Sequence, residues 1–398
     1  MTKPKALEGV KIIDFTRILA GPFCTQILAD LGAEIIKIER PGPPSDERTW
    51  IPFKEGETTY FLGLNRGKRS IELNFKNPKA IEICKQLIKD ADVVVENFSP
   101  GTMADFGLDY EELKKINPRI IMCSISAYGQ YGPYSHRVGY DMLAQAMGGM
   151  MSITGYPDGP PTRVGASLGD LIAALYAAIG ICAALHYRQL TGVGQYIDMA
   201  LVDGIFTVLE NAIPAYLNCG VEPKRLGNRH PNGGPYDTYT AKDGYVAIVA
   251  SNERLWGSLC RLMGKPELAI DPKFDSNASR MANVEEMTAI INEWTSQYTV
   301  KELVAMLEEA RVACSPVYTI PQICADPHIE AREMILEFDH PKCGKIKVPG
   351  NPLKFSVTSG AATLPPPIKG QHTVEVLKEL GYTEAQIEEM AKSKVTTV

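Results

Sequence analysis

The chain's pattern predicts an α/β fold built on a parallel sheet, followed by a smaller α+β domain. Three observations carry this. Two strand–helix–strand successions open the chain, Val10–Phe15 to Glu34–Ile38 and Ser70–Asn74 to Asp92–Glu96, and such units place strands in parallel with right-handed crossovers. Composition changes near Gly227, where Arg229-His230-Pro231-Asn232-Gly233-Gly234-Pro235 reads as a linker. The length, 398 residues, is enough for two or more domains.

Taken in order, Val10–Phe15 is a compact apolar strand. A loop through Ala20-Gly21-Pro22 leads into a helix from about Cys24 to Leu31, closed by Gly32, and Glu34–Ile38 is the next strand. The loop lacks G-x-G-x-x-G, so the dinucleotide fingerprint is absent. A Pro-rich polar loop runs on from Glu39-Arg40-Pro41-Gly42 to about Thr59. Ser70–Asn74 is a strand, and Pro78, at a first helical position, opens a helix over Lys79–Asp90. Asp92–Glu96 and Ile120–Ile125 are strands, separated by a short helix at Tyr110–Ile116. Ligands of open α/β sheets bind at the carboxyl ends of strands, and Arg40, Asn97 and Tyr128 each lie just past such an end. Tyr140–Met151 reads as a helix.

The apolar run Leu171–Leu185 is rich in Ala and Leu, which favour helix. It is apolar nearly all round, which predicts burial, and it is too short for a membrane span of ~20 residues. Gln195–Met199 is a strand, and Val202–Leu217 is a helix that Pro214 ends or kinks. Beyond the linker, Tyr236–Thr240 and Tyr245–Ala250 flank Lys242-Asp243-Gly244 as a hairpin. Helices span about Glu253–Met263, Val284–Gln297 and Val300–Ala310, and Val312–Tyr318 is a strand. Lys345–Val348 and Leu353–Ser356 read as strands, and Val374–Leu380 and Glu384–Lys392 as helices.

Hydrophobic residues make up 45% and charged residues 22% of the chain, the proportions of a soluble globular protein. The net charge of −6 argues against nucleic-acid binding. The nine Cys are scattered without a C-x-x-C pair or zinc spacing, which fits a reduced, cytoplasmic protein. Cys24, Cys84 and Cys182 fall in apolar periodic segments and read as buried thiols. Met1-Thr2-Lys3-Pro4-Lys5-Ala6 has no apolar signal core.

Few polar residues stand out as catalytic. His136 and His230 read as solvated or hinge residues, and His186 as a core histidine. No two His have metal spacing. Lys37 and Arg40, three apart at a strand end, should face different sides, leaving one of them for function. Asp170 remains. It follows Gly165-Ala166-Ser167-Leu168-Gly169, which leaves room for a ligand beside the backbone, and it precedes the apolar run as an N-cap residue would. An N-cap role alone is one reading. The other is a buried carboxylate beside a crevice, a candidate nucleophile, with Tyr140 and Asp141 as neighbours and the helix N-terminus holding it ionised.

Five stretches, in this order, resemble the class III CoA-transferases, the formyl-CoA and carnitine CoA-transferase family. They are Ile13-Asp14-Phe15 through Ala20-Gly21-Pro22, Ile36-Lys37-Ile38-Glu39-Arg40-Pro41-Gly42, Val95-Glu96-Asn97-Phe98-Ser99-Pro100-Gly101, Gly139-Tyr140-Asp141, and Gly165 to Asp170. The resemblance covers nearly the whole chain. It implies a doubly wound large domain formed by both chain ends (1–226 and 326–398), a smaller inserted α+β domain (227–325) and an interlocked homodimer. It also implies coenzyme A as co-substrate without a metal, a catalytic Asp at Asp170, and CoA contacts at Leu19, Ala20, Arg40, Leu73, Lys76, Asn97, Phe98 and Tyr140. The partners it implies are an acyl-CoA donor and a carboxylic acid acceptor, with no nucleic acid or membrane.

The chain departs from formyl-CoA transferases at Leu19, at Asp105, at Val138 (with Arg137 adjacent), and at Ser251-Asn252-Glu253-Arg254. Thr154-Gly155-Tyr156-Pro157 and Arg225–Pro231 resemble instead members that use small dicarboxylic acids. The rival enzyme on this fold is an α-methylacyl-CoA racemase, which carries a His where this chain has Tyr140. A Tyr, with a reference pKa of about 10, is a poor base near neutrality. A non-catalytic CoA-binding protein is the other rival.

Overall fold

The computed structural model describes residues 4–397. The chain divides into two compact units, one of Met1–Met150, Val164–Pro214 and His328–Val398, the other of Met151–Arg163 and Ala215–Pro327. The second unit thus takes in 151–163 and 215–226, which the sequence division assigned to the large domain. The reason is a non-local pairing: Gly227 N donates to Gly155 O (2.9 Å) and Arg225 Nη2 to Gly159 O (2.9 Å).

The first unit holds a six-stranded parallel sheet. Its strands are β1 (Lys11–Asp14), β2 (Glu34–Glu39), β3 (Lys68–Glu72), β4 (Val93–Glu96), β5 (Ile121–Ser126) and β6 (Tyr196–Ala200), in spatial order β3-β2-β1-β4-β5-β6. The strand cores are β-branched runs buried on both faces, as parallel strands require. Ile13, Ile36, Ile71, Val94 and Met122 point to one face. There they meet helices α3 (Pro78–Lys89), α4 (Tyr110–Ile116), α10 (Thr373–Glu379) and α11 (Glu384–Lys392). Ile12, Ile35, Val93, Val95 and Ile121 point to the other, against α1 (Ala20–Asp30) and α6 (Leu168–Thr191). Helices on both faces make the sheet doubly wound, and strand order reverses between β1 and β4.

Two shorter helices bear on the site, α2 (Thr59–Leu64) and α5 (Asp141–Met147). The second unit packs α7 (Glu253–Leu262), α8 (Val284–Thr295) and α9 (Val300–Glu309) on an antiparallel sheet of β7 (Tyr236–Thr240), β8 (Tyr245–Val249) and β9 (Ala313–Pro316) around Trp256 and Phe274.

Several elements differ from expectation for local reasons. Helix α1 starts at Ala20, because Pro22 is tolerated in a first turn. The helix expected over 140–151 breaks at Gly148-Gly149, where Gly149 has φ +94°. The one expected over 202–217 is two, Leu201–Thr207 and Ala212–Cys219, with Pro214 in the first turn of the second. Leu353–Ser356 forms no strand; Gly344–Pro349 (β11) pairs instead with Ile335–His340 (β10).

Helix α6 is longer than its apolar core predicted and begins at Leu168. Its N-cap residue is Ser167, so Asp170 lies in the first turn and is not the cap. Nor is the helix buried all round. Ile172–Ala174, Ala177, Ala178 and Ile181 are packed, whereas Leu175, Tyr176, Ile179, Tyr187 and Leu190 are exposed. His186, on that outer side, is exposed and not a core histidine. By length and composition alone this helix could cross a membrane, but its inner face is occupied by α1 and the sheet.

Where β1 ends, Asp14 is fully buried and organises the following loop. Its Oδ1 accepts from Thr16 N (2.8 Å) and Thr16 Oγ1 (2.5 Å), and its Oδ2 from Thr25 Oγ1 (2.7 Å) and Lys68 Nζ (3.1 Å). Lys37 Nζ donates to Thr16 O (2.6 Å). Gly21 sits so close that an added Cβ would lie 2.2 Å from Thr16 Cβ. Gly21→Ala must therefore displace the loop or α1. It should lower stability by about 1–3 kcal/mol in chemical denaturation, whereas Gly63→Ala, which meets nothing within 4 Å, should not.

Candidate active site

The reversal of strand order between β1 and β4 opens a crevice at the strands' carboxyl ends, where ligands of such sheets bind. The two loops that diverge there are stitched together. Arg17 N donates to Asn97 Oδ1 (2.8 Å) and Asn97 Nδ2 donates to Arg17 O (2.7 Å). Ile18, next in the loop, has φ +67°, a costly conformation for a β-branched residue. Glu96, at the end of β4, accepts from Phe98 N (2.8 Å) and fixes the turn that presents Phe98. Burial pushes the Glu96 carboxyl up to about 7.

A cavity of about 760 Å³ occupies this crevice. It is lined by the loop after β1 (Phe15–Arg17), the end of β2 and its loop (Lys37–Pro43), the loop after β3 (Leu73–Lys76), Phe98, and residues from far along the chain, Lys369, Lys394, Thr396 and Thr397. Its cations suit a polyanion, its aromatic and aliphatic walls an organic ligand. Lys37 and Arg40 both line it, although strand geometry led us to expect only one. Lys37 is buried at its floor and Arg40 is exposed at its rim, because the chain has left the strand by Arg40.

Of the residues singled out in the sequence, Arg40, Leu73, Lys76 and Phe98 line this cavity. Leu19 and Ala20 are buried where the loop enters α1, and Asn97 acts on the backbone of Arg17. Tyr140 and Asp170 do not line it. Tyr140 is exposed immediately before α5. Asp105 and Val138 are also exposed and line no part of the cavity.

Asp170 sits in the first turn of α6, and its loop is held from α5. Asp141 Oδ1 accepts from Gly169 N (2.8 Å), and both Asp141 oxygens accept from Gln145 Nε2 (3.1 and 3.0 Å). Gln145 Oε1 in turn accepts from Val164 N (3.0 Å). Gly169 packs closely here: an added Cβ would lie 3.2 Å from Asp141 Oδ1. Burial, and secondarily the like charge of Asp141, pushes the Asp170 carboxyl up to about 7. Desolvation thus outweighs the helix N-terminus expected to keep it ionised.

Sequence reasoning missed Tyr60. Burial raises its phenol far above the usual range, and the charge of Asp170 raises it further. Its ring meets Trp50 edge-on at 4.7 Å. The loop before it is anchored by Arg48, which forks onto Glu39 (2.7 and 2.8 Å) and lies over the Phe61 ring at 3.4 Å. Nothing local in a polar, Pro-rich loop marks Tyr60, and Lys369 and Lys394 carry no local signal either. Among the described residues, no group of three or more His, Cys, Asp or Glu is placed to hold a metal.

Known proteins resemble this chain in sequence and in fold. The model of CoA-transferase family III matches residues 7–373. A succinyl-CoA:glutarate CoA-transferase of Mus musculus is 41% identical over 393 residues, 98% of this chain and 90% of that protein. A succinyl-CoA–D-citramalate CoA-transferase of Chloroflexus aurantiacus is 38% identical over 395 residues, 98% of each. The crystal structure of a CAIB/BAIF family protein from Brucella suis matches with a TM-score of 0.87 at 41% identity, covering 95% of this chain and 100% of that one.

The raised Asp170 carboxyl has a thermodynamic signature. Its folded-state pKa of about 7 lies above the unfolded value. Folding is therefore undisturbed below about pH 4 and loses stability as pH rises through the folded pKa. Asp170→Asn removes that cost. Its advantage over wild type in denaturant titrations should be absent near pH 4, grow to pH 7 and then level at roughly 4 kcal/mol.

Proposed function

The chain belongs to CoA-transferase family III, and on that premise we propose that it moves CoA from succinyl-CoA to a small dicarboxylic acid, with Asp170 as the covalent carrier. The observation that carries the reading is Asp170 itself, a desolvated carboxylate at the start of an apolar helix, in a loop held by Asp141 and Gln145. The donor and the class of acceptor follow the names of the mouse and Chloroflexus relatives. The two stretches that resemble dicarboxylate-using members, 154–157 and 225–231, support that acceptor class.

A carboxylate is a weak nucleophile in water, and desolvation makes it a stronger one. Asp170 attacks the thioester carbonyl, forming an Asp170–succinyl anhydride and releasing CoA thiolate. The thiolate attacks the Asp170 carbonyl of that anhydride, leaving aspartyl-CoA thioester and free succinate. The acceptor carboxylate attacks the thioester to form a second anhydride, and the thiolate then attacks the acceptor's carbonyl and frees Asp170. Thioester energy is conserved throughout. Arg40, Lys76, Leu73 and Phe98 hold the nucleotide end of CoA in the cavity, with Leu19, Ala20, Asn97 and Tyr140 along its path.

Because the attacking form is ionised, kcat/KM should rise with pH and level above about 7, the value to which burial brings Asp170. Succinyl-CoA without acceptor, followed by hydroxylamine or borohydride, should label Asp170, and glutarate should collect the CoA. Asp170→Asn should fold, bind CoA and lose at least about 10³-fold in transfer. A label on another residue, full activity of the variant, or α-proton exchange without transfer would reject the mechanism.

The homodimer belongs to the same reading. Leu175, Tyr176, Ile179, Tyr187 and Leu190 form an exposed apolar stripe on a helix whose other side is core, and stripes of this kind mark interfaces. Equilibrium sedimentation at micromolar concentration should give twice the chain mass, and Ile179→Lys should shift the species to monomer. A wild-type monomer would refute the dimer.

A further inference from the structure

We propose that Lys394, presented by the segment that follows α11, is a phosphate contact of the cavity and helps decide how tightly CoA binds. The proposal rests on reading that cavity as the CoA site.

Helix α11 ends in a complete left-handed cap. Val395 N donates to Met390 O (2.8 Å) and Lys394 N to Ala391 O (3.1 Å), while Met390 and Val395 share the apolar core. In this motif the position that Lys394 occupies must take a positive φ, and glycine is the usual residue there. Lys394 takes it with φ +58°, a conformation that costs any residue with a Cβ. Arg311 and Glu333 fill the same place in identical caps, with φ +53° and +50°, so the cap alone does not tell what the cation at 394 is used for.

The surroundings say for what. Lys394 lines the cavity together with Lys76, Arg40 and Arg17, and its backbone is tied to the loop that carries Lys76. Asn74 Nδ2 donates to Lys394 O (2.9 Å), Asn74 N to Val395 O (2.8 Å) and Asn77 Nδ2 to Ser393 O (3.3 Å). Glu72 holds the next turn, accepting from Thr397 Oγ1 while its backbone O accepts from Thr396 Oγ1 (2.5 Å). Lys369, the other distant cation of the wall, is committed to Glu72 (2.6 Å) and to Gly42 O (2.8 Å). Lys394 is exposed at the cavity wall, where a phosphorylated ligand with several negative charges would meet it.

A cation near a helix C-terminus also gains from the helix dipole, and the experiment must separate the two roles. Lys394→Gly removes the charge and relieves the backbone, two effects on stability that oppose each other. Lys392→Ala removes a charge from the last turn of the same helix, away from the cavity. CoA binding is measured by calorimetry, with thermal midpoints, at about 0.05 and 0.5 M salt.

The expected result for Lys394→Gly is a Kd raised about threefold to tenfold at low salt. The deficit should shrink at high salt, with a midpoint close to wild type. Lys394→Arg should stay near wild type, and Lys392→Ala within about twofold of it. Unchanged affinity in Lys394→Gly, a loss that salt does not diminish, or an equal loss in Lys392→Ala would overturn the proposal. Failure of the wild-type protein to bind CoA would instead overturn the reading of the cavity.

Discussion

A buried charge cluster at the end of the first strand governs the rest of the large unit. Asp14 has no access to water, and burial alone would push its carboxyl up. Lys68 and Lys37, with the hydroxyls of Thr16 and Thr25, hold it below the usual carboxylate range. Lys68 is brought down to about 8 by burial, against the charge of Asp14. Buried ion pairs of this kind seldom add net stability, because desolvation consumes the attraction. What they do is fix geometry. Asp14 accepts from four donor groups in fixed places, and two of them belong to Thr16, in the loop that lines the cavity. The cluster thereby fixes the start of the loop in which Ile18 takes a positive φ and Arg17 meets Asn97.

The same economy recurs around Asp170. A carboxylate in a first helical turn is ordinarily stabilised in its charged form. Here α6 is apolar and its first turn half-buried, and desolvation prevails, bringing the acid up to about 7. Asp141 contributes in two ways that sequence adjacency to Tyr140 would not reveal. It ties down Gly169, which places Asp170, and its charge raises the Asp170 pKa further. One side chain thus acts on both the position and the basicity of its neighbour.

Much of the sheet is legible locally. Runs such as Ile35-Ile36-Lys37-Ile38 and Val93-Val94-Val95 declare buried parallel strands, and their edges were read to within one or two residues. Helix ends were less legible where glycine or proline allowed two outcomes, as at Gly148-Gly149 and Pro214. The strand Ile335–His340 escaped because its alternating pattern, with charges at Glu337 and Asp339, reads as surface until a partner strand is known. At the candidate site, Asp170 was legible from its place before a helix and Arg40 from its place after a strand, while Lys76 and Phe98 came only from the family resemblance. Tyr60 was not legible, because its loop is ordered by Arg48 forking onto Glu39, a contact no local pattern announces.

The sequence by itself determined the α/β character, most strands of the sheet, the family and the acid at position 170, since each depends on residues close together in the chain. Tertiary structure alone decided which side of α6 is buried, that Lys37 and Arg40 share one cavity, and that 151–163 folds with 215–227. It also decided that residues 369 and 394–397 complete a wall begun by residues 15–17. These are contacts between segments far apart along the chain, fixed by packing and by the hydrogen-bond demands of buried groups. Their energies depend on what surrounds a residue, and a linear sequence does not state its surroundings.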